Sequence, residues 1–433
     1  MRSLVLSLFL FFSFALIVAD ADAAVFTANS QADVPDETPG NGVCNPVLAI
    51  PGVCTLRAAI MEANALAGAD TVFLTAGQTY TLTRAGQDDS AVNGDLDITD
   101  NVSILFFASG ERPVVDANGL ERAFDIRDGN ATMLGFDITG GDATVPGDAS
   151  GGGIAIDFDA GIVQLSLLRF YGNRSCFGGG LYNDGDSTTV SASEFFDNER
   201  DGTGCTPLPG GAAIHNRGQL IVEASSLVEN AGTAIFSGPG GPGIGQLSVI
   251  NSTVSSNLGG GINTDNDDNG VDQVTTLRNT TIAGNTGTGL RIGGISTSLS
   301  MRNTMIARND VDGAIGDCAL SVAASATYNT DRYNLDSDGT CDLQDGSSNV
   351  PDTDPLLTPL KYRGGPSQVH WPRPDSPIID AGHPVIGAIG CEEEDQHFVE
   401  RPQDFNVAAD NNCDVGAVEL AQDVIFFDSH EVL

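Results

Sequence analysis

The sequence contains a single lysine, Lys361, and a single tryptophan, Trp371, and beyond residue 18 it has no long uninterrupted apolar run. Eighteen arginines and one lysine scattered among 58 acids supply no basic patch, which excludes a nucleic-acid binder. Without a run of roughly 20 apolar residues there is no span for a bilayer in the body of the chain. None of the eight cysteines stands in CxxC spacing, so zinc and thiol-redox motifs are excluded too. Of the five histidines, His215, His370, His383 and His397 fall within repeat or C-terminal words, and none has a partner at metal-ligand or triad spacing.

What is present points to export. Leu4 to Val18 is apolar and hydroxylic, follows Arg2, and runs out at Ala21, Asp22 and Ala23, the pattern of a cleaved signal peptide over residues 1–23. The 53 glycines imply many turns, and the formal charge of −39 is spread along the chain as a solvated acidic surface that disfavours anionic partners. An even cysteine count in an exported chain implies disulfides. The cysteines fall into neighbouring pairs, Cys44 with Cys54, Cys176 with Cys205, Cys318 with Cys341 and Cys391 with Cys413. This is one of 105 connectivities, and its support has to come from the fold.

An internal period decides the fold class. Asn173, Asn198, Asn230, Asn257, Asn285 and Asn309 recur every 24 to 32 residues. Three positions before them stand Phe170, Phe195, Leu227, Val254, Ile282 and Ile306; five before, Leu168, Ser193, Ser225, Ser252, Thr280 and Thr304. Eight positions before come Leu165, Val190, Val222, Val249, Leu277 and Met301, and glycine-rich corners follow the asparagines. Short alternating strands of this kind cannot bury a face alone and must stack on their neighbours. The expectation is an all-β chain wound into a right-handed parallel β-helix, its asparagines laddered along the axis and tolerating the left-handed conformation of a corner. A degenerate earlier copy carries Ala131, Leu134, Phe136 and Thr139, and Val102 to Phe107 and Ala123 to Ile126 read as further strands. The register predicts Ile282 inside the coil and Thr281 on an outer, solvated face. Ahead of the repeats, Leu56, Ala59, Ile60, Ala63 and Leu66 have helical spacing, with Thr55 to cap the start and Gly68 the end of a helix that closes the open coil.

The N-terminal words, Cys44 and then CTLRAAIMEANALAGADTV from Cys54 to Val72, resemble the CSLREP-type domain that precedes β-helix repeats in exported bacterial proteins. Thr55, Ala58 and Ala59 stand where the name-giving motif differs. The stretch from Asp354 to Gly382, then DQHF, RPQD and CDVGAVEL ending at Leu420, resembles the choice-of-anchor Q domain. The resemblance implies a division into signal peptide 1–23, cap 24–101, parallel β-helix 102–320, C-terminal domain 321–420 and tail 421–433. It also implies a cell-surface setting, although residues 421–433 show no sorting motif.

Parallel β-helices also host polysaccharide lyases and glycoside hydrolases. Asn263, Thr264, Asp265, Asp267, Asp268 and Arg291 resemble the words of such a hydrolase, but the acids are fused into one loop and the Gly-His-Gly word is missing. A lyase needs a base and cations to neutralise a uronate carboxylate. Arg291 and Arg308 are the candidate contacts. Asp265, Asp267 and Asn269 before Gly270 alternate oxygen ligands as Ca2+ loops do, yet the twelfth position is Thr276 rather than Glu, so they are metal candidates of an incomplete loop. Exposed aromatics for a sugar are Tyr171, Tyr182 and Phe236. No residue is assigned a catalytic role. The expected function is an exported non-catalytic protein that binds polysaccharide or another cell-surface glycan, with a β-helix lyase or hydrolase as the alternative.

Overall fold

The computed structural model describes residues 23–46, 52–144, 149–201, 205, 210–238, 245–265, 272–311, 313–321, 326–343, 348–387, 389–403 and 412–421. The expected signal peptide, nearly all of the tail and the residues Asp267 and Asn269 lie outside them.

The chain coils so that each turn gives one strand to each of three parallel sheets, of 11, 10 and 9 strands. One turn shows the plan. Gln273–Arg278 lies in the first sheet, Thr281–Ala283 in the second and Leu290–Ile292 in the third. Identical positions stack: Val254 pairs with Ile282 and Ile282 with Ile306, while Leu277 pairs with Met301. The predicted inward columns are buried in one continuous core, each side chain contributing about 1.5–3 kcal/mol. Stacking is what makes these short strands stable.

From Asp137–Thr139 to Met305–Ala307 each strand of the second sheet is framed by two left-handed corners, and these set its direction. Ala192 and Asp197 bracket one, Asn279 and Gly284 another, Asn303 and Arg308 a third. The left-handed residue thus precedes the marker asparagine, and the marker itself is not left-handed. Its task is the ladder. Nδ2 of Asn198 donates to Oδ1 of Asn230 at 3.0 Å, Asn230 to Asn257 at 2.9 Å, and Asn257 to Asn285 at 2.8 Å. A second Nδ2 bond goes to a backbone carbonyl of the turn before, as from Asn257 to Leu227 at 2.9 Å. The small residues make a parallel ladder through hydroxyls, Ser193 N donating to Ser225 Oγ at 3.0 Å and Ser225 N to Ser252 Oγ at 3.1 Å. Buried polar groups are thereby satisfied rung by rung.

The degenerate copy slips by one residue. Its inward side chains are Met133 and Ile138, with Leu134 and Thr139 turned outward, because Gly141 replaces the marker asparagine that would have fixed the register. Gly141 still donates its N–H to Asn173 Oδ1 at 3.0 Å.

A helix, Leu56–Ala65, closes the N-terminal end. Thr55 caps it, accepting from Ala58 N at 3.0 Å. Its C-cap is Leu66, so Leu66 is outside the helix and Gly68 is not its terminator. Arg57 projects from it, wholly buried, onto Asp33 at 2.5 Å and the carbonyls of Ala91, Gly94 and Asp95 at 2.8, 2.8 and 3.1 Å. Four disulfides join the neighbouring cysteines, with Cα–Cα distances of 5.4, 5.5, 4.9 and 6.5 Å in chain order. Cys176 and Cys205 follow the adjacent corner strands Arg174–Ser175 and Glu199–Arg200, so their bridge spans two turns.

Beyond residue 350 the chain returns along the outside of the second sheet. Thr253 Oγ1 bonds Gln396 Oε1 at 2.6 Å, Ser255 Oγ bonds His370 Nε2 at 2.7 Å, and Ala417 N donates to Thr281 Oγ1 at 3.0 Å. Thr281 is therefore buried, not solvated. Alternation placed it outside the coil correctly, but a segment more than a hundred residues away covers that outside. The covering segment has its own core, in which Arg401 pairs with Glu419 at 2.8 Å with both side chains fully enclosed. Among the described residues no helix is long and apolar enough to cross a membrane.

Candidate functional site

The returning segment leaves the first rungs of the second sheet open. On this open part the outward columns carry Asp137, Arg169 and Glu194 on one side and Thr139, Tyr171 and Phe196 on the other, each column in strict register. Consecutive rungs bring the rings of Tyr171 and Phe196 to 5.1 Å between centroids with planes 14° apart. Both rings are half-buried, so part of the pair stays accessible. Burial, with Asp137 and Asp116 nearby, raises the pKa of the Tyr171 phenol, which remains protonated at neutral pH.

Immediately after these rings the chain turns the left-handed corner, and there a depression of about 390 Å³ opens along four turns, its walls including Asn118, Asp142, Arg174, Asp197 and Glu199. Asp142, Arg174 and Glu199 occupy one column of a small parallel sheet. Arg174 holds Asp142 at 2.8 Å and Asp201 at 3.4 Å. Hydrogen bonding to Asp142 raises the guanidinium's pKa further. The signal was available in the sequence: the position after the marker is charged in three consecutive turns, Asp142, Arg174 and Glu199. It was missed because the first of these follows Gly141 rather than an asparagine.

At the edge of the returning segment Tyr362 donates a hydrogen bond to Glu194, which Arg169 approaches to 3.7 Å. Burial and the Glu194 carboxylate raise the Tyr362 phenol, so it is a proton donor rather than a phenolate base. Lys361 is its neighbour in the chain. This edge thus brings Tyr362 beside Glu194 and Arg169, a juxtaposition of residues distant in the sequence.

The residues singled out from the sequence scatter. Asp265 meets Arg291 at 3.4 Å, and Arg291 also reaches Asn263 at 3.1 Å; the other two calcium candidates are outside the described residues. Among the described residues no group of three or more acidic, histidine or cysteine side chains is placed to hold a metal. Arg308 pairs with Asp354 at 2.5 Å and fastens the returning segment. Tyr182 and Phe236 lie on the third sheet, either side of His215 at 5.5 and 5.0 Å. Burial lowers the His215 pKa to about 3, making the ring a neutral member of an aromatic stack. Strongly perturbed carboxyls lie elsewhere, at Asp414 in the core of the returning segment, where burial and Glu419 raise it, and under the N-terminal cap. Burial raises Asp95 to about 8, with Arg122 opposing and Asp97, Glu121 and Asp125 adding to it, and raises Asp97 to about 7.

No family model and no curated protein sequence matches the chain. Among solved structures it is similar to a rhamnogalacturonan lyase, at 11% identity and a TM-score of 0.52, over 78% of this chain and 91% of that one. A pectate lyase, Pel9A, aligns over 92% of this chain and 97% of that one at 14% identity and a TM-score of 0.47. At such identity the rhamnogalacturonan lyase shares the fold, and the fold alone does not transfer an activity.

Proposed function

We propose that this chain is an exported β-helix protein that binds a glycan on its open flank without cleaving it. The stacked pair Tyr171 and Phe196 beside a polar depression carries the reading. Two stacked, nearly parallel rings add half-exposed apolar surface for the C–H groups of a sugar, and Asp142, Arg174, Asp197 and Glu199 supply acceptors and donors for its hydroxyls. The rungs are about 4.8 Å apart, a step comparable with one residue of an extended polysaccharide, so a chain laid along the axis meets equivalent groups repeatedly. Export rests on residues 1–23 as a signal peptide and on the four disulfides, which fit an oxidising compartment. In this reading residues 24–101 form a CSLREP-type cap, 102–320 the coil, and 321–420 a choice-of-anchor Q-like domain whose returning part covers one flank, consistent with a cell-surface setting.

A second reading has its own observation. Asp142 and Glu199 stand two rungs apart, about 10 Å along the axis, on either side of Arg174, near the upper end of the separation an inverting glycosidase uses. One panel separates the two. Affinity electrophoresis and reducing-end and unsaturated-uronate assays on a set of polysaccharides are expected to show retention without cleavage, with retention lost in Tyr171→Ala and Phe196→Ala. Cleavage abolished by Glu199→Gln would replace binding with hydrolysis.

A further inference from the structure

A different part of the coil carries an unusual arrangement of positive charge. Arg278, Arg302 and Arg332 occupy one outward column of the first sheet, Arg278 in register with Arg302 and Arg302 with Arg332. In a chain with net charge −39, three guanidiniums on successive rungs about 4.8 Å apart repel one another. That repulsion registers in Arg302: burial first, then the charges of Arg278 and Arg332, lower its pKa, with Glu392 opposing. Glu392 reaches Arg278 at 3.2 Å from the returning segment. His383, facing the same guanidiniums, has its pKa lowered by burial and by Arg302 and Arg332.

The same three strands bear a second feature. Two to five residues before the arginines, Ser298, Ser300, Thr327 and Asn329, with Val274, Leu299 and Tyr328, line a depression of about 240 Å³. Ser298 and Thr327 are joined across rungs at 2.8 Å. A groove with a mostly apolar floor and hydroxyls and an amide along its wall therefore runs beside a cationic ladder with a common axial repeat.

We propose that this groove and ladder bind a linear anionic glycan, its hydroxyls on the Ser/Thr/Asn wall and its acidic groups, carboxylate or sulfate ester, on Arg278, Arg302 and Arg332. The inference rests on the glycan-binding reading above but uses other rungs and another sheet. An acidic peptide fits less well, because same-side residues of an extended peptide recur about every 6.6 Å rather than every rung. The overall negative charge does not forbid the ligand. At about 0.15 M salt the Debye length is roughly 8 Å, so the local triplet governs the contact while distant acids are screened.

The test is calorimetric titration of the full exported protein in 0.15 M NaCl with an oligogalacturonide, a chondroitin sulfate oligosaccharide, a neutral cello-oligosaccharide and poly-glutamate. One or both anionic glycans should bind, and which of them binds tells carboxylate from sulfate. Arg302→Gln should weaken that binding at least ten-fold, Arg302→Lys less, and the exposed Arg332→Gln provides a second variant with little risk to folding. Neither substitution should alter binding at Tyr171, and Tyr171→Ala should leave anionic binding intact, so the two sites fail separately. No saturable binding of either anionic glycan, unchanged affinity in both Arg→Gln variants, or tighter binding of poly-glutamate would overturn the proposal.

Discussion

The second sheet is open over its first rungs and covered over its last, and the two parts differ in what they turn outward. The covered rungs present Ser226, Thr253, Ser255, Thr281, Ala283 and Ala307, small or hydroxylic residues that let another segment come close, and then the apolar Met305 and Leu335. Met305, Ala307 and Leu335 pack there against Leu357, Ile378 and Val415 in a core separate from that of the coil. The open rungs present Arg169, Tyr171 and Phe196, larger side chains, while Asp137 and Glu194 in the same outward column are buried, Glu194 under Tyr362 at the edge of the returning segment. Inside the coil no such boundary exists, since Phe170 and Ile282 belong to the same buried column on either side of it. A solenoid's interior is set by its repeat. Its exterior is free to differ rung by rung, and function is written there.

The sharpest test of this contrast is to charge the inside on both sides of the boundary. Ile282→Asp and Ile138→Asp should each cost several kcal/mol in chemical denaturation, alike in both parts, because each puts a carboxylate into a dry core. A small cost for either would break the idea of one continuous interior. Next come the carboxyls beneath the cap at the open end. Asp95 and Asp97 hold protons in the folded state that the unfolded chain has already released above about pH 4, so the fold loses stability progressively from about pH 4 until the loss is complete above about 7 and 8. Asp95→Asn should match the parent at pH 4 and exceed it by about 2–4 kcal/mol at pH 9, and parallel stability profiles would show that the cap does not hold that proton. The smallest effect tests the cover itself. Thr281→Val removes the acceptor of Ala417 N and should cost about 1 kcal/mol, whereas Thr79→Val on an exposed open rung should stay within about 0.5 kcal/mol. Equal values would mean that the returning segment is held without this bond.

The coil was legible in the sequence because its rules are local. The columns through Leu277 and Ile282, and the asparagine ladder, follow from spacing, since one residue's face fixes its neighbours' faces. Local rules also explain the errors. With Gly141 in place of a marker asparagine the register has no anchor, and Leu134 and Thr139 of the degenerate copy face outward. Asparagine's tolerance of left-handed backbone suggested a corner role, but Asp197, Glu229, Ser256 and Arg308, the residues before the markers, take that conformation instead. The cover over Thr281 could not be read, because it depends on contacts such as Ala417 N to Thr281 Oγ1 across 136 residues. The site was legible only in part: Tyr171 was named as an exposed aromatic, but its partner Phe196 and the Asp142, Arg174, Glu199 column become a site only when three turns are stacked.

The ladder of amides has a polarity that bears on how such a coil changes in length. Every side chain from Asn173 to Asn309 donates toward the C-terminal neighbour, so the small dipoles add, and the last N–H groups point at a carboxylate. Asp317 Oδ1 accepts from Asn309 N and Nδ2 at 3.1 and 2.9 Å, while its other oxygen takes the N–H and hydroxyl of Ser337 at 2.8 and 2.6 Å. Having no N–H on its side chain, an aspartate can receive the chain of bonds but cannot pass it on. It acts as a terminator. A turn duplicated anywhere before Asn309 would find a donor below and an acceptor above, whereas one added after Asp317 would begin with an acceptor that nothing feeds, so growth by repeat duplication is permitted within the run and stopped at its end.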